Sequence, residues 1–212
     1  MIGEVAGDPL IGIALGLGLG ARHAFEPDHL AAVSVLAADG PSPKRGALIG
    51  ALWGTGHKLA LLACALAVAA AAAQIPPRLT DVFEICVAAM LVVLGARAIY
   101  RARPARHLHV VRHPRAIRPL IVGAVHGLAG SGALTALVMT HLPSTGARLS
   151  FMLLFGLGSV AAMSAISGAA GWPLARLARR PATSRFVFAV VGAASMALGI
   201  AWAWLPVQRI FQ

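Results

Sequence analysis

Apolar runs of about 20 residues recur along the whole of this 212-residue chain. An α-helix needs a run of that length to cross the hydrocarbon core of a membrane, which is about 30 Å thick. Only 12% of the residues are charged, about half the share that is usual in soluble domains. The sequence therefore predicts an all-α integral membrane protein. Six transmembrane helices are expected, over residues 10–37, 46–74, 82–100, 119–141, 149–171 and 185–205.

Basic residues are concentrated in alternate loops between these spans. Twelve of them fall on one side of the predicted membrane and three on the other, where the N-terminal segment also carries Glu4 and Asp8. Loops rich in Lys and Arg remain in the cytoplasm. We therefore expect a multi-pass protein of the inner (plasma) membrane with both termini outside, in the periplasm. This bias also explains the net charge of +11, so a nucleic-acid partner is not expected.

The basic loop at 101–118 also contains three histidines, His107, His109 and His113. Two interpretations remain open, a loop that captures metal and a solvated loop that only sets the topology. The second is favoured, because nothing in the spacing of these histidines fixes a ligand geometry.

Glycines four residues apart mark one face at the start of each of the first two spans. They are Gly12, Gly16 and Gly20 in the first span and Gly46, Gly50 and Gly54 in the second. Glycine allows helix backbones to approach closely in lipid. We therefore expect these two helices to pack on each other through the glycine faces.

The two halves of the chain resemble each other. LGARHAFEPDHLA (19–31) matches VGAVHGLAGSGAL (122–134), and ALWGTGHKLA (51–60) matches LLFGLGSVAA (153–162). A third match, of LVVLG with ASMALG, follows in the same order, and the offsets agree to within two residues. The sequence thus predicts an internal repeat.

Each repeat contains three spans, so the second copy must begin on the opposite side of the membrane. The predicted units are 1–100, which carries the polar motif, and 119–212, with the basic cytoplasmic loop 101–118 between them. Inverted repeats of this kind are common in secondary transporters, whose sites lie near the bilayer midplane in interrupted helices.

The segment RHAFEPDHLAAV places several ionisable residues inside the first span. Each such group costs about 2.5–3.5 kcal/mol at mid-bilayer, so it persists where it pairs, faces a polar cavity or binds a ligand. Arg22 and Glu26 are four residues apart and are expected to pair on one helical turn. Pro27 has no N–H for the carbonyl of His23. We therefore predict a helix that unwinds between His23 and His29 and leaves a carbonyl free.

Two imidazoles and a carboxylate, from His23, Asp28 and His29, can converge at such a break. This ligand set suits a borderline divalent metal ion such as nickel, cobalt, zinc or copper(II). A hydrogen-bonded kink that only fixes helix packing is the less favoured alternative. His57 falls near mid-membrane in the next span and is predicted as a fourth metal ligand, against a packing or gating role.

Seven further residues are candidates for the ion pathway or for support of the ligands, namely Arg22, Glu26, Lys58, Glu84, His126, Ser131 and Ser159. Three roles for Lys58 remain open: snorkelling to water, pairing with Glu26 or Glu84, and repelling a cation so that it is released. For His126, which matches His23 in the repeat, a pathway role and a structural role are equally open. Glu84 lies near the outer face, as a surface residue or an attractor of cations. No acidic residue follows it, so the first half carries the anionic ligands.

These motifs resemble those of the nickel/cobalt transporter (NiCoT/NicO) superfamily. HAFEPDHLAA matches its His-x4-Asp-His signature through His23, Asp28 and His29, and GHKLAL resembles its Gly-His motif through Gly56 and His57. The length and the HGLAGSGA segment look most like its short six-span branch, which includes UreH-like urease accessory transporters. The resemblance implies that these histidines and the aspartate recognise nickel or cobalt for uptake.

Three departures from that superfamily bear on substrate choice and coupling more than on fold. Lys58 stands where larger members have Ser or Thr, Glu26-Pro27 replaces Asp-Ala, and the acidic motifs of later spans are missing.

The predicted function is uptake of Ni²⁺ or Co²⁺ into the cytoplasm, with the ion bound transiently and no prosthetic group. The lipid bilayer and the ion are the expected partners, and the sequence does not indicate an oligomeric state. The alternatives are metal efflux by the same fold and a non-transporting accessory protein that contacts metalloenzyme maturation proteins. An enzyme is not expected, because the sequence contains no His-Glu-x-x-His pair and no histidine-rich cluster of the membrane-oxidase kind.

Overall fold

A computed structural model describes residues 9–38, 42–71, 76–103, 117–128, 144–177 and 180–211, and their regular structure is entirely α-helical. Seven helices lie within these ranges. They are α1 (Pro9–His23), α2 (Pro27–Ala38), α3 (Pro43–Ala71), α4 (Pro77–Ala102), α5 (Ile117–Leu128), α6 (Thr145–Leu177) and α7 (Pro181–Ile210).

Proline is the first residue of five of these helices, α1, α2, α3, α4 and α7. Proline suits this position because its φ angle is already helical and the N–H that it lacks would have no helical partner there. The prolines of the sequence therefore set where the helices begin, more sharply than the apolar runs do.

Four helices are long and apolar enough to cross a membrane, over Pro43–Cys64, Pro77–Ala102, Gly146–Leu174 and Ala182–Ile210. Large apolar side chains such as Leu153 of α6 stand exposed on their outer surfaces, as expected where lipid is the solvent. An all-helical membrane protein is therefore supported. Of the predicted fourth span, Ile117–Leu128 forms the short apolar helix α5. The rest of that span, Ser131 and the histidines of the basic loop lie outside the described residues.

The first span is divided into α1 and α2 by a three-residue turn. Within it the N–H groups of Ala24, Phe25 and Glu26 donate to the carbonyls three residues earlier, at 3.2, 2.9 and 3.1 Å. Bonds of this spacing tighten a helix end. They occupy the carbonyl of His23, so the free carbonyl expected there is absent. The unwinding is also shorter than expected, because Pro27 starts α2.

The glycine faces do pack closely, but not on each other. Gly16 and Gly20 of α1 lie against α6, and so do Gly46 and Gly50 of α3. The predicted contact between the glycine faces of the first two spans is therefore wrong, although His23 of the first span does contact His57 of the second. Glycine spacing marks a face that can approach another backbone, but it does not identify that backbone.

The most extensive helix contacts join the first half of the chain to the second. α4 packs along α7, α1 packs along α6, and α3 packs along both α5 and α6. α2 is enclosed by α3, α4, α6 and α7, and its apolar residues Ala32, Val33, Val35 and Leu36 belong to the main core cluster. The first turn of α2, with Asp28 and His29, is thus held at the centre of the molecule.

Candidate metal centre

His57 places the candidate site about halfway along the longest helix of the first half. It lies 14 residues beyond Pro43 in the 29-residue helix α3. At about 1.5 Å per residue, that is about 21 Å of a helix about 43 Å long. A cluster at the level of His57 is therefore near the middle of α3, within the part that is long and apolar enough to cross a membrane, Pro43–Cys64.

Four histidines from four helices meet at this level. His23 ends α1, His29 lies in the first turn of α2, and His57 and His126 come from α3 and α5; none of the four is more than 3% exposed. The ring centroid of His29 is 4.4 Å from those of both His23 and His126, and 5.0 Å from that of His57. His29 is therefore the centre of the cluster.

Two carboxylates hold three of these rings. Asp28 contacts Nδ1 of His29 at 3.0 Å through Oδ1 and Nε2 of His126 at 2.8 Å through Oδ2. Glu26 contacts Nδ1 of His23 at 2.9 Å. A carboxylate only accepts hydrogen bonds, so each of these nitrogens carries the hydrogen. The other nitrogen of each neutral ring then keeps its lone pair, which is how carboxylates prepare histidines as metal ligands.

The lone pairs left by this arrangement are buried and largely unused. Nε2 of His29 and Nδ1 of His57 and of His126 have no hydrogen-bond partner among the described residues. A buried polar atom without a partner costs about 1–3 kcal/mol. Three of them in one cluster are not explained by helix packing, whereas a metal ion would use them.

The spacing of the donors also suits a metal ion. Two sets of donor atoms lie within 4.8 Å of one another, from His23, His29 and His57 and from Asp28, His29 and His126. The Nε2 atoms of His23 and His57 are 3.1 Å apart. Two ligands on a tetrahedral ion with bonds of 2.0–2.1 Å are about 3.3 Å apart, so this pair is close to ligand spacing.

A cavity of about 320 Å³ reaches the cluster at the helix break. Its walls are Leu19, Arg22, His23, Phe25, Glu26 and Pro27. Among the clustered histidines only His23 lines it, together with its partner Glu26, so the cavity approaches the cluster from one side.

A protein of Bacillus sp. (strain TB-90) named urease accessory protein UreH is 30% identical to this chain over 202 residues, 89% of this chain and 88% of that protein. The chain belongs to the UreH family. No family model matches the chain. No solved structure matches it either.

The UreH-family chain brings together all four residues predicted as ligands, His23, Asp28, His29 and His57, and adds His126 to them. In this arrangement Asp28 contacts two imidazoles at once. The repeat match already pointed to His126, but its contact with Asp28 depends on how the two halves pack.

The predicted pair of Arg22 and Glu26 is not formed. Glu26 contacts His23 instead, because α1 ends at His23 and the two residues are not on successive turns of one helix. Arg22 and Glu26 both line the cavity. Ser159 is buried and donates to the carbonyl of Gly20 at 2.8 Å, so it ties α6 to α1.

Lys58 is half-buried, with its Nζ atom buried beside the cluster. Its Nζ has no hydrogen-bond partner in the described parts of the chain and lies 4.1 Å from the centre of the Phe155 ring. Snorkelling to water is therefore wrong for this side chain. Pairing with Glu84 is also wrong, since Arg209 of α7 bonds Glu84 at 3.1 Å and Asp81 at 2.7 Å.

Two aromatic residues of the UreH-family site were missed. The Trp53 ring is 5.4 Å from that of His29 and 5.6 Å from that of His126, and the Phe155 ring is 5.5 Å from that of His23. The match of ALWGTGHKLA with LLFGLGSVAA aligns these two aromatics. That shared position was the available signal.

Proposed function

We propose that this protein transports a divalent transition-metal ion across the inner membrane, with Ni²⁺ or Co²⁺ as the cargo and the cytoplasm as the destination. The observation that carries the proposal is the buried cluster of histidines around Asp28, at mid-membrane depth and beside a cavity at a helix break. Imidazole nitrogens with one or two carboxylates favour borderline divalent metals over calcium or magnesium. The name of the relative, a urease accessory protein, supports a metal-related role.

The sequence motif is the reason for proposing nickel and cobalt as the cargo. His23, Asp28 and His29 stand in the His-x4-Asp-His spacing of the NiCoT/NicO superfamily, and His57 stands in its Gly-His motif. With both termini outside, an interior-negative membrane potential favours entry of a divalent cation by about 4.6 kcal/mol per 100 mV. This term supports uptake over efflux.

The proposed architecture is a pair of inverted three-helix units, 1–100 and 119–212. Contacts that occur twice support it. Gly20 of α1 lies against the carbonyl of Phe155, and Gly123 of α5 lies against the carbonyl of Trp53. The repeat aligns Gly20 with Gly123 and Phe155 with Trp53. Exchanging the two units therefore converts the first of these contacts into the second.

A second pair of contacts obeys the same exchange. Gly56 of α3 lies against the carbonyl of Leu120, and Gly158 of α6 lies against the carbonyl of Leu17. The same match aligns Gly56 with Gly158, and continuing it backward aligns Leu17 with Leu120. Both exchanges relate the α1–α6 pair to the α5–α3 pair, as expected of a two-fold relation that passes between α3 and α6.

Accumulation of radiolabelled nickel by intact cells tests the proposal. We expect His23→Ala, Asp28→Ala and His29→Ala each to abolish accumulation while the protein still reaches the membrane. His109→Ala, in the basic loop, is the matched histidine control and should accumulate nickel normally. Accumulation at the wild-type level in all three site variants would refute the assignment of the site.

Purified protein in liposomes separates the proposal from its alternatives. Transport of Ni²⁺ or Co²⁺ by the protein alone, measured against a panel of divalent ions, excludes a purely accessory role. In cells, loss of the protein should cause metal starvation under uptake, whereas metal sensitivity would indicate efflux.

A further inference from the structure

The donor atoms at the metal centre do not form one coordination shell. Two donors on opposite sides of one ion are at most two bond lengths apart, about 4.2 Å for nitrogen ligands. The donors instead divide into two sets within 4.8 Å, one from His23, His29 and His57 and one from Asp28, His29 and His126. Only His29 belongs to both sets.

His29 can serve both sets because its two ring nitrogens have different surroundings. Nδ1 contacts Asp28 at 3.0 Å, which in turn contacts His126 at 2.8 Å. Nε2 has no partner among the described residues and is the nitrogen available to His23 and His57. A neutral ring has one lone pair, so His29 serves the two sets in turn: through Nε2 on one side and, once its hydrogen has moved from Nδ1 to Nε2, through Nδ1 on the other.

We infer that the cargo ion occupies two successive positions that share His29, and that it crosses the centre of the protein by passing from one to the other. The first, the cavity-side position, is formed by His23, His29 and His57. The second, the Asp28 position, is formed by Asp28, His29 and His126. This inference rests on the proposed transport function and adds the route of the ion within the site.

The cavity determines which position the ion meets first. His23 lines the cavity, whereas Asp28 and His126 are not among the residues that form its walls. An ion from the cavity therefore meets His23 and its partner Glu26 before it meets the carboxylate of Asp28. Glu26 is engaged with Nδ1 of His23 and belongs to neither donor set, so Asp28 supplies the carboxylate oxygen among the donors. Because an anionic oxygen attracts a dication more strongly than a neutral ring does, the second position draws the ion onward.

The two positions also differ in which half of the chain builds them. All three residues of the cavity-side position belong to the first half, whereas the Asp28 position needs His126 of α5, in the second half. A shift of α5 relative to α2 would change the Asp28 position and leave the cavity-side position intact. Relative motion of the halves can therefore release the ion from one position only.

Co²⁺ is the probe that distinguishes the two positions, because its visible absorption spectrum depends on the ligands. Binding is measured on purified protein in detergent and flux on the same protein in liposomes. His57→Gln removes a ligand from the cavity-side position alone, His126→Gln removes one from the Asp28 position alone, and His29→Gln removes one from both. His109→Gln, in the basic loop, is the matched control.

We expect His57→Gln and His126→Gln each to bind Co²⁺ within about tenfold of the wild-type affinity, because one of the two positions survives in each variant. The absorption spectra of the two variants should differ, since the surviving position is a different one. Flux should fall at least about tenfold in both. His29→Gln should lower affinity by at least about 100-fold, since loss of even an outer partner of a metal ligand costs about 10–100-fold. If His126→Gln does not fold, Asp28→Asn tests the same position and should give the nitrogen-only spectrum.

Two results would overturn the two-position route. In the first, His57→Gln and His126→Gln lose as much Co²⁺ affinity as His29→Gln does, and all three variants show the same residual spectrum. That result would indicate a single coordination shell. The other is wild-type flux in His126→Gln, which would take the Asp28 position off the route. A wild-type protein that binds no Co²⁺ would instead overturn the transport function itself.

Discussion

The close backbone contact between α5 and α3 allows the effect of Gly127→Ala on stability and metal binding to be predicted. A methyl group on Gly127 would lie 2.9 Å from the carbonyl carbon of His57 and 3.0 Å from its Cα, and closer still to its carbonyl oxygen, whereas ordinary contacts begin at 3.4 Å. The helices must therefore separate by about 0.5 Å or more at this point, because helix backbones cannot yield as a flexible side chain can.

That displacement acts on the metal centre directly, because Gly127 is adjacent to His126 and packs on His57. Metal–ligand distances in working sites hold to within about 0.2 Å, so a shift of about 0.5 Å exceeds the tolerance. Overpacking of this kind also lowers stability by about 1–3 kcal/mol. Because His57 and His126 belong to different positions of the ion, both positions are disturbed. We therefore expect Gly127→Ala to melt at a lower temperature and to bind Co²⁺ at least about tenfold more weakly.

Gly18→Ala on α1 is the control, because a methyl group there meets nothing within 4 Å. Alanine is favoured over glycine inside a helix by about 0.5–1 kcal/mol, so this variant should be as stable as the wild type or more so. Thermal melting and Co²⁺ titration in detergent measure both effects. A Gly127→Ala protein with wild-type melting and wild-type affinity would refute the claim that this contact positions His126.

Three further predictions follow from the charges near and away from the site. Lys58→Met should tighten Co²⁺ binding by about tenfold, because removal of a buried cation beside the site relieves a repulsion of about 1.4 kcal/mol; an unchanged dissociation constant would contradict this. Lowering the pH from about 7.5 to about 5.5 should weaken Co²⁺ binding at least about tenfold, because protons compete with the metal for the imidazole nitrogens; calorimetric titration at both pH values checks it. Arg209→Met should destabilise the protein by about 1–3 kcal/mol in thermal melts, because the buried carboxylate of Asp81 and that of Glu84 lose their shared cation. Arg185→Met, at an exposed position on the same helix, is the control and should not lower the stability.

The sequence predicted a helix or a helix break well where its cause lies within a few turns of the same segment. Pro27 marks the break in the first span because a missing N–H acts within one turn of the chain. Apolar runs located the membrane helices because hydrocarbon selects composition over a length of about 20 residues. His57 was placed in the middle part of its helix by counting along the chain, which needs no knowledge of the neighbouring helices.

Features that depend on the partner of a helix could not be predicted in this way. Glycine spacing on α1 and α3 identified close-packing faces but not α6 as the helix they meet. The expected pair of Arg22 and Glu26 assumed one continuous helix, which the turn after His23 removes. The contact of Asp28 with His126 joins residues 98 positions apart, so it depends on the packing of α5 along α3.

The interleaving of the two halves has a consequence for how the chain enters the membrane during synthesis. α1 packs along α6, and α4 packs along α7. Both of these partners, α6 and α7, are synthesised after residue 144. Until then α1 and α4 lack the neighbours with which they make their most extensive contacts, although all the ligands of the centre, His126 of α5 included, are already part of the chain. The polar centre is therefore covered late in biogenesis, and a ribosome that stalls before α6 leaves in the bilayer a full set of ligands without the helix that packs along α1 and α3.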